Sequence, residues 1–193
     1  DIDKGLITVN GQNIKNYRQH DLRNLIALTP QKATLFTGTV RDNLKYGNPN
    51  ASDEELWHAL DVAQASDFIK ELDGGLDGHV EQGGDNFSGG QKQRLAIARS
   101  LAKKASIYIF DDSFSALDFK TDANLRAALK KDPEIKKSIV VIVAQRISTV
   151  VDADTILVLE DGKMTGVGTH QELKEKNKAY QEIIDSQIRK GDQ

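Results

Sequence analysis

Two short stretches of the chain hold residue types at spacings that suit phosphate chemistry. In Phe87-Ser88-Gly89-Gly90-Gln91-Lys92-Gln93-Arg94 a serine is followed three residues on by a glutamine, the pattern of a capping box at a helix start. Two glycines beside the cap let a foreign group approach the backbone, and the unpaired N–H groups with the positive dipole end favour an anion such as phosphate. A capped surface helix with no ligand has the same pattern, and these eight residues alone do not separate the two. Twenty-three residues after Ser88, the apolar run Ile107-Tyr108-Ile109-Phe110 ends in Asp111-Asp112. A carboxylate at the C-terminal end of a parallel strand lies on the edge where α/β folds bind ligands, and an aspartate there commonly holds Mg²⁺ on a nucleotide. The plain alternative, a turn or capping aspartate, would need two adjacent acids there by chance.

These residues need a scaffold of alternating strands and helices. Leu6-Ile7-Thr8-Val9 before Asn10-Gly11 reads as a strand entering a tight turn, because Asn-Gly tolerates the positive φ of hairpin turns. Ile26-Ala27-Leu28 is a second short strand running into Thr29-Pro30-Gln31. From Ser52-Asp53-Glu54-Glu55, another capping box in form, Leu56, Leu60, Ala63 and Phe68 follow at roughly helical spacing. The five glycines between Gly74 and Gly84 read as a loop. Ile107 to Phe110 and Ile139 to Val143 are apolar, largely β-branched runs, expected as parallel strands covered on both faces. Ile156 to Leu159 before Asp161-Gly162 is a further strand, and Gln171 to Arg189 a charged helical tail.

In this order the motifs resemble the ATPase domain of ABC transporters, of the multidrug or peptide exporter type. Phe87-Ser88-Gly89-Gly90-Gln91 is similar to the family's signature motif, Ile107 to Asp111 to its Walker B strand, and Ser115-Ala116-Leu117-Asp118 to its D-loop. Gln31 resembles the Q-loop glutamine, and Leu35 to Leu44 the segment that follows it in exporters. Ala144-Gln145-Arg146-Ile147-Ser148-Thr149 occupies the switch segment, and Gly168 to Leu173 resembles the closing motif. The resemblance implies ATP and Mg²⁺ as cofactors and a head-to-tail dimer with two shared sites. Asp111 and Gln31 would serve the metal, Asp112 and Gln145 the catalytic step, and Gln31, Phe87, Ser88, Gly89, Gly90, Gln91 and Asp118 the nucleotide. Val80 to Gly84 lies where exporters carry their cross-linking loop to the membrane domains. The implied fold is α/β, a P-loop NTPase-like, mainly parallel mixed sheet flanked by helices. Residues 1–50 and 102–193 would form the core lobe and 51–101 a helical subdomain.

Three features depart from the family pattern. No Gly-x-x-x-x-Gly-Lys-[Ser/Thr] occurs in the chain, so the 193 residues are expected to bind Mg-ATP negligibly alone. Asp112 stands where the family has a glutamate, one methylene longer, that polarises the attacking water. Gln145 stands where the family has a histidine, and a glutamine donates a hydrogen bond but carries no charge. Together the last two resemble the degenerate subunit of a heterodimeric exporter, whose partner is a different, catalytic chain. A fully active homodimer and a mainly regulatory nucleotide-binding subunit are the other readings.

Composition excludes several function classes. With 26 basic and 29 acidic residues, a net charge of −3 recruits neither nucleic acid nor an anionic membrane. The absence of cysteine removes disulfides, thiolate metal sites and a cysteine nucleophile. A DNA-clamping ABC ATPase would carry a long coiled coil between Gln31 and Ser88, and Ser88 follows Gln31 by only 57 positions, without heptads. Apolar runs fall far short of the about 18 residues that span a bilayer. The chain starts at Asp1 without a methionine and reads as part of a longer polypeptide whose transmembrane domain would hold it at the cytoplasmic face of the membrane. Alone it is expected to have a sheet with exposed edges and an uncovered face, and so to be marginally stable or oligomeric. Trp57 reads as a packing residue, His58 and His79 as unconnected to metal, and Lys92, Arg94, Arg99, Lys103 and Lys104 as a solvated face with some residues answering acids nearby.

Overall fold

A computed structural model describes residues 2–191. β1 (Thr8–Val9) and β2 (Gln12–Asn13) pair antiparallel across Asn10-Gly11, whose φ values of 50° and 76° suit a type I′ turn. α1 (Gln19–Leu25) then leads into β3 (Ile26–Thr29). β4 (Gly38–Thr39) is followed by α2 (Val40–Lys45), α3 (Asp53–Val62) and α4 (Ser66–Glu71). β5 (His79–Val80) precedes α5 (Gly89–Ala102), the long helix that begins at Ser88. β6 (Ile107–Asp111), α6 (Phe119–Lys131), β7 (Ile139–Val143) and α7 (Ile147–Val150) follow. The chain ends in a hairpin of β8 (Ile156–Glu160) and β9 (Lys163–Gly168), then α8 (His170–Lys176) and α9 (Lys178–Gly191).

The fold is α/β, and its centre is a three-stranded parallel sheet in the order β3-β6-β7. Among the described residues antiparallel pairing is confined to separate two-stranded sheets. Register explains which side of the sheet is dry. Ala27 aligns with Tyr108, and Thr29 with Phe110, on the face that packs against the helices, and all four are buried. Leu28, Ile109 and Val141 form a row on the opposite face, where Leu28, Ile139, Val141 and Val143 are exposed. The expectation of strands covered on both faces is therefore corrected: among the described residues helices cover one face. An unbroken apolar run marks a strand that excludes polar residues from both sides, and does not say which part of the chain covers each side.

Capping chemistry sets the helix starts. Ser52 with Glu55, Ser88 with Gln91, Thr39 with Asp42 and Thr169 with Glu172 each form a reciprocal capping box. The helical block after Ser52 breaks at Gln64, whose φ is 58°, so Phe68 lies on α4 and not on the helix of Leu56 and Leu60. The glycine-rich stretch 74–84 is more than a loop. It holds β5, paired with β4, and buries Leu76 and Val80. The charged tail is two helices, broken at Asn177.

One continuous core runs from Ala27 to Ile135 and joins the sheet, α5 and the α3–α4 block. A smaller core is formed by Ile156, Val158, Leu173 and Tyr180, with Ile147, Val150, Ile183 and Ile184 packed on it. Trp57 lies half-buried against the larger core with the Lys70 ammonium 5.8 Å from its ring centre. Among the described residues no helix is long and apolar enough to cross a membrane.

Candidate functional site

The C-terminal ends of the three parallel strands converge. β6 ends at Asp111, and the chain turns at Asp112 with φ 44°, a left-handed conformation that aspartate tolerates better than most residues. The Asp112 N–H still donates to the Val143 carbonyl at 2.9 Å, which carries the β6–β7 pairing one residue past the strand. Behind it, the buried Ser113 hydroxyl donates to the Thr29 carbonyl at 2.9 Å, and the Thr29 hydroxyl donates to Ser100 of α5 at 2.7 Å. These bonds fix the ends of β3, β6 and β7 against one another. Gln31, two residues beyond β3, and Gln145, two residues beyond β7, consequently reach the same carboxylate. Their Nε2 atoms donate to Asp112 Oδ2 at 3.0 and 3.2 Å. Among the described hydrogen bonds Oδ1 of Asp112 has no protein donor and can accept one from water.

The donor set suits a hard cation. Mg²⁺ keeps several waters and needs one or two carboxylates beside substrate phosphates, and the exposed Asp111 carboxylate and the Gln31 Oε1 are oxygen ligands of that kind. Among the described residues no group of three His, Asp or Glu side chains forms a self-sufficient metal cage.

The second element is the start of α5. Ser88 N–H donates to Gln91 Oε1 at 2.8 Å and Gln91 N–H to Ser88 Oγ at 3.3 Å, which leaves the N–H groups of Gly89 and Gly90 as those of the first turn without a partner in the helix. Phe87 lies beneath this turn. Its ring is 7% exposed and packs edge-on against Phe68 at 6.1 Å, so it anchors the turn from beneath. A side chain built on Gly90 would come 3.6 Å from the Ala116 carbonyl, placing α5 beside the turn 115–118. Asp118 closes that turn as the cap of α6, and the Thr121 N–H, 3.0 Å away, holds its carboxyl below the usual range. Arg146 braces the same turn by donating to the Ser115 and Leu117 carbonyls at 2.9 and 3.2 Å, with Phe119 under its guanidinium.

The sequence profile of ABC transporters matches residues 1–115, more than half of the chain. The chain belongs to the ABC transporter family.

An uncharacterized ABC transporter ATP-binding protein of Mycobacterium tuberculosis is 43% identical over 190 residues, covering 97% of this chain and 32% of its own length. A Staphylococcus aureus protein described as a multidrug export ATP-binding/permease protein is 42% identical over 187 residues, with the same coverage. A solved bacterial Atm1-family ABC exporter with ATP bound superposes at a TM-score of 0.91 with 36% identity, over 97% of this chain and 33% of that one. The chain thus spans about a third of the length of the relatives it matches. As an ABC transporter domain it belongs to a nucleotide-binding ATPase family.

Other expectations about this ABC domain differ from the structure. The basic residues of α5 and its C-terminal end are not simply a solvated face. Arg99 is buried enough that desolvation pushes its pKa down, with its guanidinium over Phe36 and on the Thr34 carbonyl at 2.6 Å. Arg94 lies over Phe68 and Lys103 donates to the Ile26 carbonyl at 2.6 Å. His58 does have a carboxylate partner: its Nε2 is 2.6 Å from Asp132 Oδ2, 74 residues away, a pair that local spacing cannot show. Gln187 is a further residue missed, because nothing in a charged helical tail marks one glutamine as special. It bonds the backbone on both sides of Arg146.

Proposed function

We propose that this chain is the ATP-hydrolysing part of an ABC exporter, joined in the full-length polypeptide to a transmembrane domain at the cytoplasmic face of the membrane. The observation that carries the reading is the convergence of Gln31 and Gln145 on Asp112 Oδ2 from the ends of three strands. The names of the relatives and the Atm1-family structure support the exporter assignment. Residues 1–50 and 102–193 form the core lobe of this motor, and 51–101 its helical subdomain.

In this reading Asp112 Oδ1 accepts the proton side of the attacking water, while the two amides hold Oδ2 and fix the carboxylate plane. General-base catalysis depends on this reach, and Asp112 is one methylene shorter than the glutamate it replaces. Gln145 contributes a hydrogen bond without charge. Asp111, with Gln31, would hold Mg²⁺, which neutralises charge on the transferred phosphoryl group. Gly89 and Gly90 offer their helix-start N–H groups to the γ-phosphate of a nucleotide bound on a second ABC ATPase domain, Ser88 and Gln91 hold that helix start by capping it, and Asp118 shapes the adjoining turn. The short base and uncharged switch residue favour a slow site, completed in a heterodimer by a catalytic partner chain.

The test is phosphate release by the full-length polypeptide in lipid vesicles, as wild type and as Asp112→Ala, alone and with the partner chain. Loss of the residual hydrolysis of the chain alone on Asp112→Ala is expected. Hydrolysis that is unchanged by Asp112→Ala would overturn the assignment.

A further inference from the structure

α9 presents Ile183, Ile184 and Gln187 on one face, since residues three and four apart are neighbours on a helix. The two isoleucines pack on the smaller core, which also receives Ile147 and Val150 from α7. That docking carries the Gln187 amide onto the backbone around Arg146. Gln187 Nε2 donates to the Gln145 carbonyl at 2.7 Å, and Gln187 Oε1 accepts from the Ile147 N–H at 2.9 Å.

Local chemistry explains why this bridge is needed. Ile147 opens α7, so its N–H has no partner within the helix, and the cap position holds Arg146, whose side chain makes no capping bond. A guanidinium carries only donors and cannot accept from a helix-start N–H. Gln187 supplies the missing acceptor from 40 residues away and takes up the neighbouring carbonyl with the other half of the same amide. Arg146 is free to hold Ser115 and Leu117 on the opposite side. The backbone of Gln145 is therefore gripped between α9 and the turn before α6, and the Gln145 side chain leaves from that gripped residue to reach Asp112.

We propose that Gln187 is a positioning residue for ATP hydrolysis, acting through Gln145, so that docking of α9 sets whether the Gln145 amide reaches Asp112. The proposal rests on the reading of Asp112 and Gln145 given above. It makes the C-terminal helix part of the active-site scaffold even though it touches none of the reacting groups.

The experiment uses the full-length polypeptide with Gln187→Ala, Gln187→Glu, Gln145→Ala and the Gln145→Ala,Gln187→Ala pair, read by single-turnover phosphate release across ATP concentrations. Hydrogen exchange of the peptide spanning residues 144–150 is measured in parallel. Gln187→Ala should lower the rate constant about 10-fold with half-saturation unchanged, well within the ~10²-fold that a 1 Å misplacement can cost. Exchange at Ile147 should quicken, and Gln187→Glu, which keeps the acceptor but loses the donor to Gln145, should restore the Ile147 protection. The Gln187→Ala effect should vanish in the Gln145→Ala background. A loss that persists in that background, or normal turnover in Gln187→Ala beside a slowed Gln145→Ala, overturns the positioning role and leaves the Asp112 reading standing. Normal turnover in Gln145→Ala overturns the role given to Gln145 and the proposal with it.

Discussion

Gln31 and Gln145, 114 positions apart in the chain, donate to the same oxygen of Asp112, at 3.0 and 3.2 Å. A longer acid would place its carboxylate farther from the backbone, and a histidine in place of Gln145 could carry charge toward the same spot. Asp112→Glu with Gln145→His is therefore expected to raise phosphate release by the full-length chain alone by at least about 10-fold, part of the ~10²–10⁴ that a well-placed base contributes. The measurement is steady-state hydrolysis without a partner chain. A wild type that is already fast, with no gain on substitution, would mean that Asp112 and Gln145 suffice, and that the homodimer is the working unit.

The Ser113 hydroxyl sits directly behind Asp112 in a residue that is 1% exposed, so once it is removed water has no route to replace it at the Thr29 carbonyl. Ser113→Ala removes its bond to the Thr29 carbonyl and is expected to cost about 1 kcal/mol in urea unfolding. Because that bond ties β3 to β6, the same variant should weaken the approach of Gln31 to Asp112, and hydrolysis should fall with stability. An activity loss with an unchanged unfolding midpoint would place Ser113 in the chemistry and not in its scaffold.

Features set by neighbours in sequence were legible before any coordinates: the Asn10-Gly11 turn, the Ser52 and Ser88 capping boxes and the strand that ends at Asp111. The resemblance to the ABC family, carried by the order of the motifs, named Gln31, Asp112 and Gln145, each of which follows a strand. What stayed hidden depends on contacts across the chain. Arg99 and Lys103 look like surface charges in sequence, yet their long stems and donor-only heads suit backbone carbonyls at the rim of a core. His58 meets Asp132, and Gln187 meets Gln145, only after helices from different parts of the chain dock.

Gly83 and Gly84 both take positive φ, 65° and 72°, just before the start of α5, but they differ in what surrounds them. A methyl at Gly84 would lie 2.8 Å from Leu35 Cδ1, a buried side chain, whereas at Gly83 the nearest atom is 3.8 Å away. Gly83→Ala should therefore cost about 1 kcal/mol, the backbone penalty alone. Gly84→Ala adds the overpacking term of roughly 1–3 kcal/mol and should unfold at clearly lower urea. Equal midpoints for the two variants would show that Leu35 yields without cost.

Asp132 joins the end of α6 to α3, and its side chain is 3% exposed. Burial by itself would raise its pKa, but the Ile135 and Glu134 N–H groups and His58 together hold the carboxyl below its ordinary value of 3.8. A depressed folded-state pKa means that the unfolded chain binds the proton more tightly, so the stability this group supplies is full above about pH 4 and disappears as pH falls through the folded value. Asp132→Asn keeps an acceptor for the two N–H groups but loses the charge facing His58. It should cost about 1–2 kcal/mol at pH 7, in the range for a hydrogen bond to a charged group. Asp42, Glu55, Asp77, Asp118 and Glu172 are also held low, but they are common to both proteins and cancel in the difference. Urea unfolding of both proteins from pH 7 to pH 3 should show the gap narrowing below pH 4. A gap that stays constant across that range would mean that the Asp132 charge contributes nothing and that its value is the backbone bonds alone.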